Sequence, residues 1–181
     1  MQPHQFHILM IVPPSDTAPQ LKTPHGKPAA MSQSFFGRPM EILLVEDSQA
    51  DAAIAMRALK EGKIRHRLSI AARGEEAWQF LNREGPFRRV PRPDLILLDL
   101  NLPGMDGREL LKEIRSHENE RLSKTPVVVM TACEDHEVTL QGEMLEVEAY
   151  IRKPFNAQEF VHLVKELKSH WHADVILPLA E

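Results

Sequence analysis

The chain of 181 residues suits one domain with some additional tail, large enough for an ordinary layered core, and its 43% hydrophobic and 27% charged content is that of a soluble globular protein. A net charge of −4 supplies no overall basic field for nucleic acid or an anionic membrane. The single cysteine, Cys133, leaves no internal disulfide and fits a reducing cytoplasm, and no apolar run approaches the roughly 20 residues that cross a bilayer.

Residues 1–39 hold seven of the fourteen prolines and show neither helix nor strand period, so they are expected to form a disordered arm; Met31 and Met40 are alternative starts. Order is expected from Glu41-Ile-Leu-Leu-Val45, a buried strand that runs into Glu46-Asp47. Ser48 is the N-cap candidate of the first helix, with Asp51 in the capping-box position; Ala52, Ala53, Ala55, Met56 and Leu59 give its apolar face and Gly62 closes it at C′. His66–Ala71 alternates and reads as a strand nearer a sheet edge. Glu75–Asn82 is a helix with Ala77, Trp78 and Leu81 inward, followed by a loop, Arg83–Pro93, whose three prolines and four arginines read as a solvated basic stretch.

Leu95–Leu98 is apolar without alternation, as in a strand covered on both faces, and ends in Asp99 before a Pro/Gly-rich loop. Asp106 is expected to cap a helix with Leu110, Leu111 and Ile114 inward, and His117–Lys124 to be a polar connector. Pro126–Met130 is another continuous strand ending at Thr131-Ala132; Glu134–Leu145 is a weaker acidic helix; Ala149–Ile151 is a short last strand before Lys153-Pro154-Phe155. Asn156 caps a final helix with Phe160, Val161, Val164 and Leu167 inward. Five strands alternating with five helices imply an α/β fold, a doubly wound five-stranded parallel sheet with helices on both faces.

Any strand must end in something polar, so Asp99 alone says little. In open parallel sheets, however, ligands bind outside the carboxyl ends of the strands, and there the chain places Glu46, Asp47, Asp99, Thr131 and Lys153 in succession. Clustered carboxylates repel unless one is protonated or a cation sits among them. With oxygen ligands only and no His/Cys set at zinc spacing, Mg²⁺ is the natural ion. A carboxylate beside Mg²⁺ can attack phosphorus, and the charge then spread over three phosphoryl oxygens asks for the metal, a lysine and a hydroxyl or N–H donor. Lys153 and Thr131 are of the right types. The X-Pro bond after Lys153 is one at which a cis peptide is cheap.

Val45-Glu46-Asp47, Leu98-Asp99, Pro103-Gly-Met-Asp-Gly107, Met130-Thr131-Ala132 and Lys153-Pro154-Phe155 together resemble the receiver domain of two-component response regulators, over about residues 40–169. The resemblance implies a flavodoxin-like strand order and a histidine kinase as donor of a phosphoryl group to Asp99. It implies that Asp47, Asp99 and the backbone carbonyl of Asn101 bind Mg²⁺, with Glu46 acting through a water. It further implies that Thr131 and Lys153 hold the phosphoryl group, that Tyr150 is the switch aromatic, and that Asn101 and Cys133 tune the loss of the phosphoryl group.

The long loop Arg83–Pro93, the run from Arg92 to Pro103, and the tail at 170–181 are similar to response regulators that partner phytochrome-type histidine kinases. Such a chain is expected to be a single-domain, cytoplasmic signalling protein, dimeric through the fourth helix, last strand and last helix. Trp171, Val175, Ile176 and Leu177 of the tail would be apolar contact surface or would fold back on the domain. A DNA-binding regulator would need a further domain, for which the tail is too short. The competing enzyme reading is a Mg²⁺-dependent phosphohydrolase with an aspartyl-phosphate intermediate. It asks for a second acid two residues after the nucleophile, where Asn101 stands. The chain is therefore expected to be a phosphoacceptor and not an enzyme toward other substrates.

Overall fold

The structure is a computed structural model that describes residues 38–132 and 145–167. The arm before Arg38, Cys133, the helix expected over Glu134–Leu145 (Leu145 excepted) and the tail with Trp171, Val175, Ile176 and Leu177 lie outside the described residues.

The chain runs β1 (Met40–Val45), α1 (Gln49–Glu61), β2 (His66–Ala71), α2 (Gly74–Asn82), a 3₁₀ turn (Gly85–Phe87), β3 (Leu95–Asp99), α3 (Gly107–Arg115), the single turn α4 (Glu120–Ser123), β4 (Val127–Thr131), β5 (Ala149–Arg152) and α5 (Ala157–Glu166). All four strand pairings are parallel and the order is β2-β1-β3-β4-β5, the doubly wound arrangement expected. The chain winds outward from β1 to β2, then returns to the other side with β3. The crevice at this reversal lies between the ends of β1 and β3, beside Glu46-Asp47 and Asp99.

Alternate strand residues feed two cores. Ile42, Leu44, Leu95, Leu97, Val128 and Met130 pack with α1 and α5; Leu43, Val45, Ile96, Leu98, Val127 and Val129 pack with α2 and α3. Because both faces are covered, β1, β3 and β4 are buried along their whole length, which is why their sequences do not alternate. β2 is an edge strand, with Arg67 exposed. No helix among the described residues is long and apolar enough to cross a membrane.

Several local expectations are corrected by packing. Ala53 is exposed and Trp78 only half-buried, while Phe80 and Leu163 are buried. Gly62 is right-handed (φ −69°); the left-handed residue that ends α1 is Lys63 (φ 53°). A Cβ on Gly62 would lie 2.4 Å from Val161 Cγ2, so glycine lets α5 approach α1 rather than supplying a turn. The Arg83–Pro93 segment is not wholly solvated: its 3₁₀ turn buries Phe87 against Phe80, with ring centroids 5.7 Å apart. The polar connector contains α4, capped by Asn119. Arg38, inside the segment expected to be an arm, pairs with both oxygens of Asp94 at 2.6 Å, and Asp94 also accepts the Glu41 N–H.

Candidate functional site at the carboxyl ends of the strands

Each charged group reaches the crevice because a buried strand stops beneath it. β1 ends at Val45 and delivers Glu46, 3% exposed, followed by exposed Asp47; β3 ends at Asp99, 7% exposed; β4 ends at buried Thr131. Lys153 follows β5, its N–H bonded to the Thr131 carbonyl (2.8 Å), and the Lys153–Pro154 peptide is cis.

Lys153 Nζ donates to Asp99 Oδ2 (2.7 Å), Glu46 Oε2 (2.5 Å) and Asp51 Oδ2 (3.2 Å), so each of its three N–H groups has a carboxylate acceptor. Asp99 Oδ1 accepts the Asn101 N–H at 3.0 Å. The carboxylate is thereby held at both oxygens, and each oxygen keeps a lone pair.

Burial pushes the Glu46 carboxyl above the ordinary carboxylate range; the hydrogen bond and charge of Lys153 offset this in part, and the neighbouring Asp99 charge adds to it. For Lys153 burial acts to lower the pKa. The hydrogen bonds and charges of Asp99 and Glu46 outweigh it and hold the ammonium above the ordinary lysine range.

Glu46, Asp47 and Asp99 each offer an oxygen within 4.8 Å of the others, the group among the described residues suited to a metal ion. The donors are all carboxylate oxygen, one of them exposed, and carry more negative charge than Lys153 neutralises. This fits a hard divalent cation that keeps some of its water.

The structure therefore brings together Glu46, Asp47, Asp99, Asn101, Thr131 and Lys153. Tyr150 lies half-buried on β5, paired in register with Val129, and packs against the α2/α3 core. Two residues were assigned no part in the site by sequence. Asp51, expected to complete a capping box, does not do so: Glu46 Oε1 takes the Ser48 N–H (3.1 Å), and the Asp51 carboxylate turns to Lys153. Ser48 caps the Asp51 N–H as expected. Glu75 accepts the Met105 N–H at 2.8 Å and so ties α2 to the loop after Asp99, at Gly104 (φ 81°). Spacing gives no signal for either contact, since both are tertiary.

Residues 42–165 match the response regulator receiver domain. The chain is 42% identical over 142 residues to the response regulator Rcp1 of Synechocystis, covering 78% of this chain and 95% of that protein. Among solved structures, the phosphorylated cyanobacterial phytochrome response regulator RcpA is similar with a TM-score of 0.61 and 37% identity, over 78% of this chain and 99% of that one. The Mn²⁺-bound form of response regulator Rcp1 is similar with a TM-score of 0.60 and 41% identity, over 78% and 100%. The strand order, the acid crevice and these matches agree: the chain belongs to the response regulator receiver domain family and is similar to phytochrome response regulators.

Proposed function

We propose that Asp99 is the phosphoacceptor of this chain, that its donor is the phosphohistidine of a histidine kinase of phytochrome type, and that the metal used is Mg²⁺. The observation that carries this is the Lys153 ammonium bonded to Asp99 and Glu46 in a crevice whose carboxylates outnumber it. Asp47, Asp99 and the Asn101 carbonyl would hold the metal directly and Glu46 through a water; bound there, Mg²⁺ supplies charge neutralisation for the phosphoryl oxygens.

In the transfer, an Asp99 oxygen lone pair forms the new P–O bond while the P–N bond to the donor imidazole breaks. The imidazole nitrogen keeps that electron pair and takes up its proton outside this site. The Asn101 N–H, and before the metal enters also Lys153, fix the plane of the Asp99 carboxylate, so little reorientation is needed. Afterwards Lys153 pairs with a phosphoryl oxygen and the Thr131 hydroxyl donates to another. Drawing Thr131 inward opens space toward which Tyr150, on the neighbouring strand, turns; phosphorylation thus biases two arrangements of the β4–β5 surface. Asn101 and Cys133 set how readily water reaches the acyl phosphate. The output is a change in partner binding in the cytoplasm, including pairing of two copies through the last strand, the last helix and the tail residues Trp171, Val175, Ile176 and Leu177.

Intact mass after incubation with Mg²⁺ and a small phosphodonor tests this. The wild-type protein gains one phosphoryl group, the gain requires Mg²⁺, and Asp99→Asn shows none. A folded wild-type protein that gains nothing from any donor would contradict the proposal and leave a pure interaction module.

A further inference from the structure

Lys153 faces a conflict that the first two of its acceptors cannot resolve. Glu46 and Asp99 are also the carboxylates that a divalent cation would claim, and a metal ion and an ammonium cannot both sit on them without repulsion. Asp51 is different. It lies on the first turn of α1, its carboxylate 3.2 Å from Lys153 Nζ, and it is outside the Glu46–Asp47–Asp99 oxygen group. Its side chain is not consumed by the helix cap, because Glu46 takes the Ser48 N–H. Asp51 and Lys153 also close one side of a small cavity with Ile54, Met130, Pro154 and Phe155, so the pair joins α1 to the turn after β5.

We propose that Asp51 is a positioning residue for Lys153: it retains the ammonium at the rim of the crevice while Glu46 and Asp99 turn to the divalent cation, and so removes a competitor from the metal's oxygens. This rests on the reading of the crevice as a metal-dependent phosphoacceptor site. Without Asp51, the acceptors left to Lys153 among the described residues are Glu46 and Asp99, and it competes with the metal for both. An acid in the first turn of a helix also favours that helix through its dipole, whatever Lys153 does. The test must therefore separate an effect through Lys153 from an effect of charge alone.

A double-mutant cycle does so. Mg²⁺ affinity is measured by calorimetric titration for wild type, Asp51→Asn, Lys153→Met and the double variant, with thermal unfolding to verify that each is folded. Asp51→Asn retains the backbone N–H that Ser48 caps. The substitution is expected to weaken Mg²⁺ binding about fivefold when Lys153 is present and less than twofold in the Lys153→Met background, a coupling of the size found between residues in contact. Equal effects in both backgrounds, or none in either, would overturn the inference alone, provided that the wild-type protein binds Mg²⁺ and accepts a phosphoryl group. A wild-type protein that does neither would remove the reading of the site and this inference with it.

Discussion

The two ends of the sheet hold similar side chains in opposite balance. At the amino ends of the strands three acids each have a cation: Asp94 has Arg38, Glu41 has Arg67 and Glu148 has Arg115. Backbone donors complete two of these pairs, since Asp94 also takes the Glu41 N–H and Glu148 the Val127 N–H. At the carboxyl ends Glu46, Asp51 and Asp99 share the ammonium of Lys153, and Asp47 stands beside Glu46 and Asp99. The first arrangement is closed and fastens segments together. Among the described residues the second holds more carboxylates than cations, a balance that an entering cation would redress. That contrast, rather than the presence of ion pairs, distinguishes the end proposed to be reactive from the other.

Neutralising an acid should then have opposite consequences at the two ends. Asp94→Ala leaves the Glu41 N–H unsatisfied and Arg38 without its bidentate partner, and should destabilise the fold by about 3 kcal/mol, read by urea unfolding. An unchanged midpoint would mean that the amino-end pairs are ornamental. Glu46→Gln, in metal-free buffer, should instead stabilise by up to about 1 kcal/mol at neutral pH, because it removes a charge whose burial is costly and, to a lesser extent, its repulsion with Asp99. A loss as large as that of Asp94→Ala would contradict the contrast.

The same glutamate gives the sign of a smaller pH effect. Its pKa in the folded protein is raised above the unfolded value of 4.5, so its contribution to stability is fully present below 4.5 and is lost as pH rises through the folded value. With EDTA present, the wild-type protein should therefore lose stability relative to Glu46→Gln as pH rises from 4.5 toward neutrality. Saturating Mg²⁺ should reverse that trend, since the metal favours the ionised carboxylate. A difference between the two proteins that stays flat with pH would show that Glu46 is not desolvated.

The central strands were legible because covering a sheet on both faces imposes unbroken apolar runs, and the acids that end β1 and β3 mark where those runs leave the core. Ser48, Asp106 and Asn156 were legible as caps for a local reason, a side-chain oxygen within reach of the next turn's N–H groups. What escaped was decided between elements. Gly62 has the composition of a helix terminator, yet its need for glycine comes from Val161, about a hundred residues away. Asp51 has the spacing of a capping-box acid, yet Glu46 had already taken the N–H that it would have bonded. Phe87 sits among arginines and prolines that read as solvent-facing, and only Phe80 on α2 shows why it is buried.

The most direct test of the central claim is to locate the phosphoryl group. After Mg²⁺-dependent phosphorylation, borohydride reduction of the acyl phosphate and peptide mass mapping should find the modified carboxyl at Asp99 alone. Modification at Asp47, at Asp51 or at the amino-end acid Asp94 would contradict the assignment of Asp99 as the reactive carboxylate of this site.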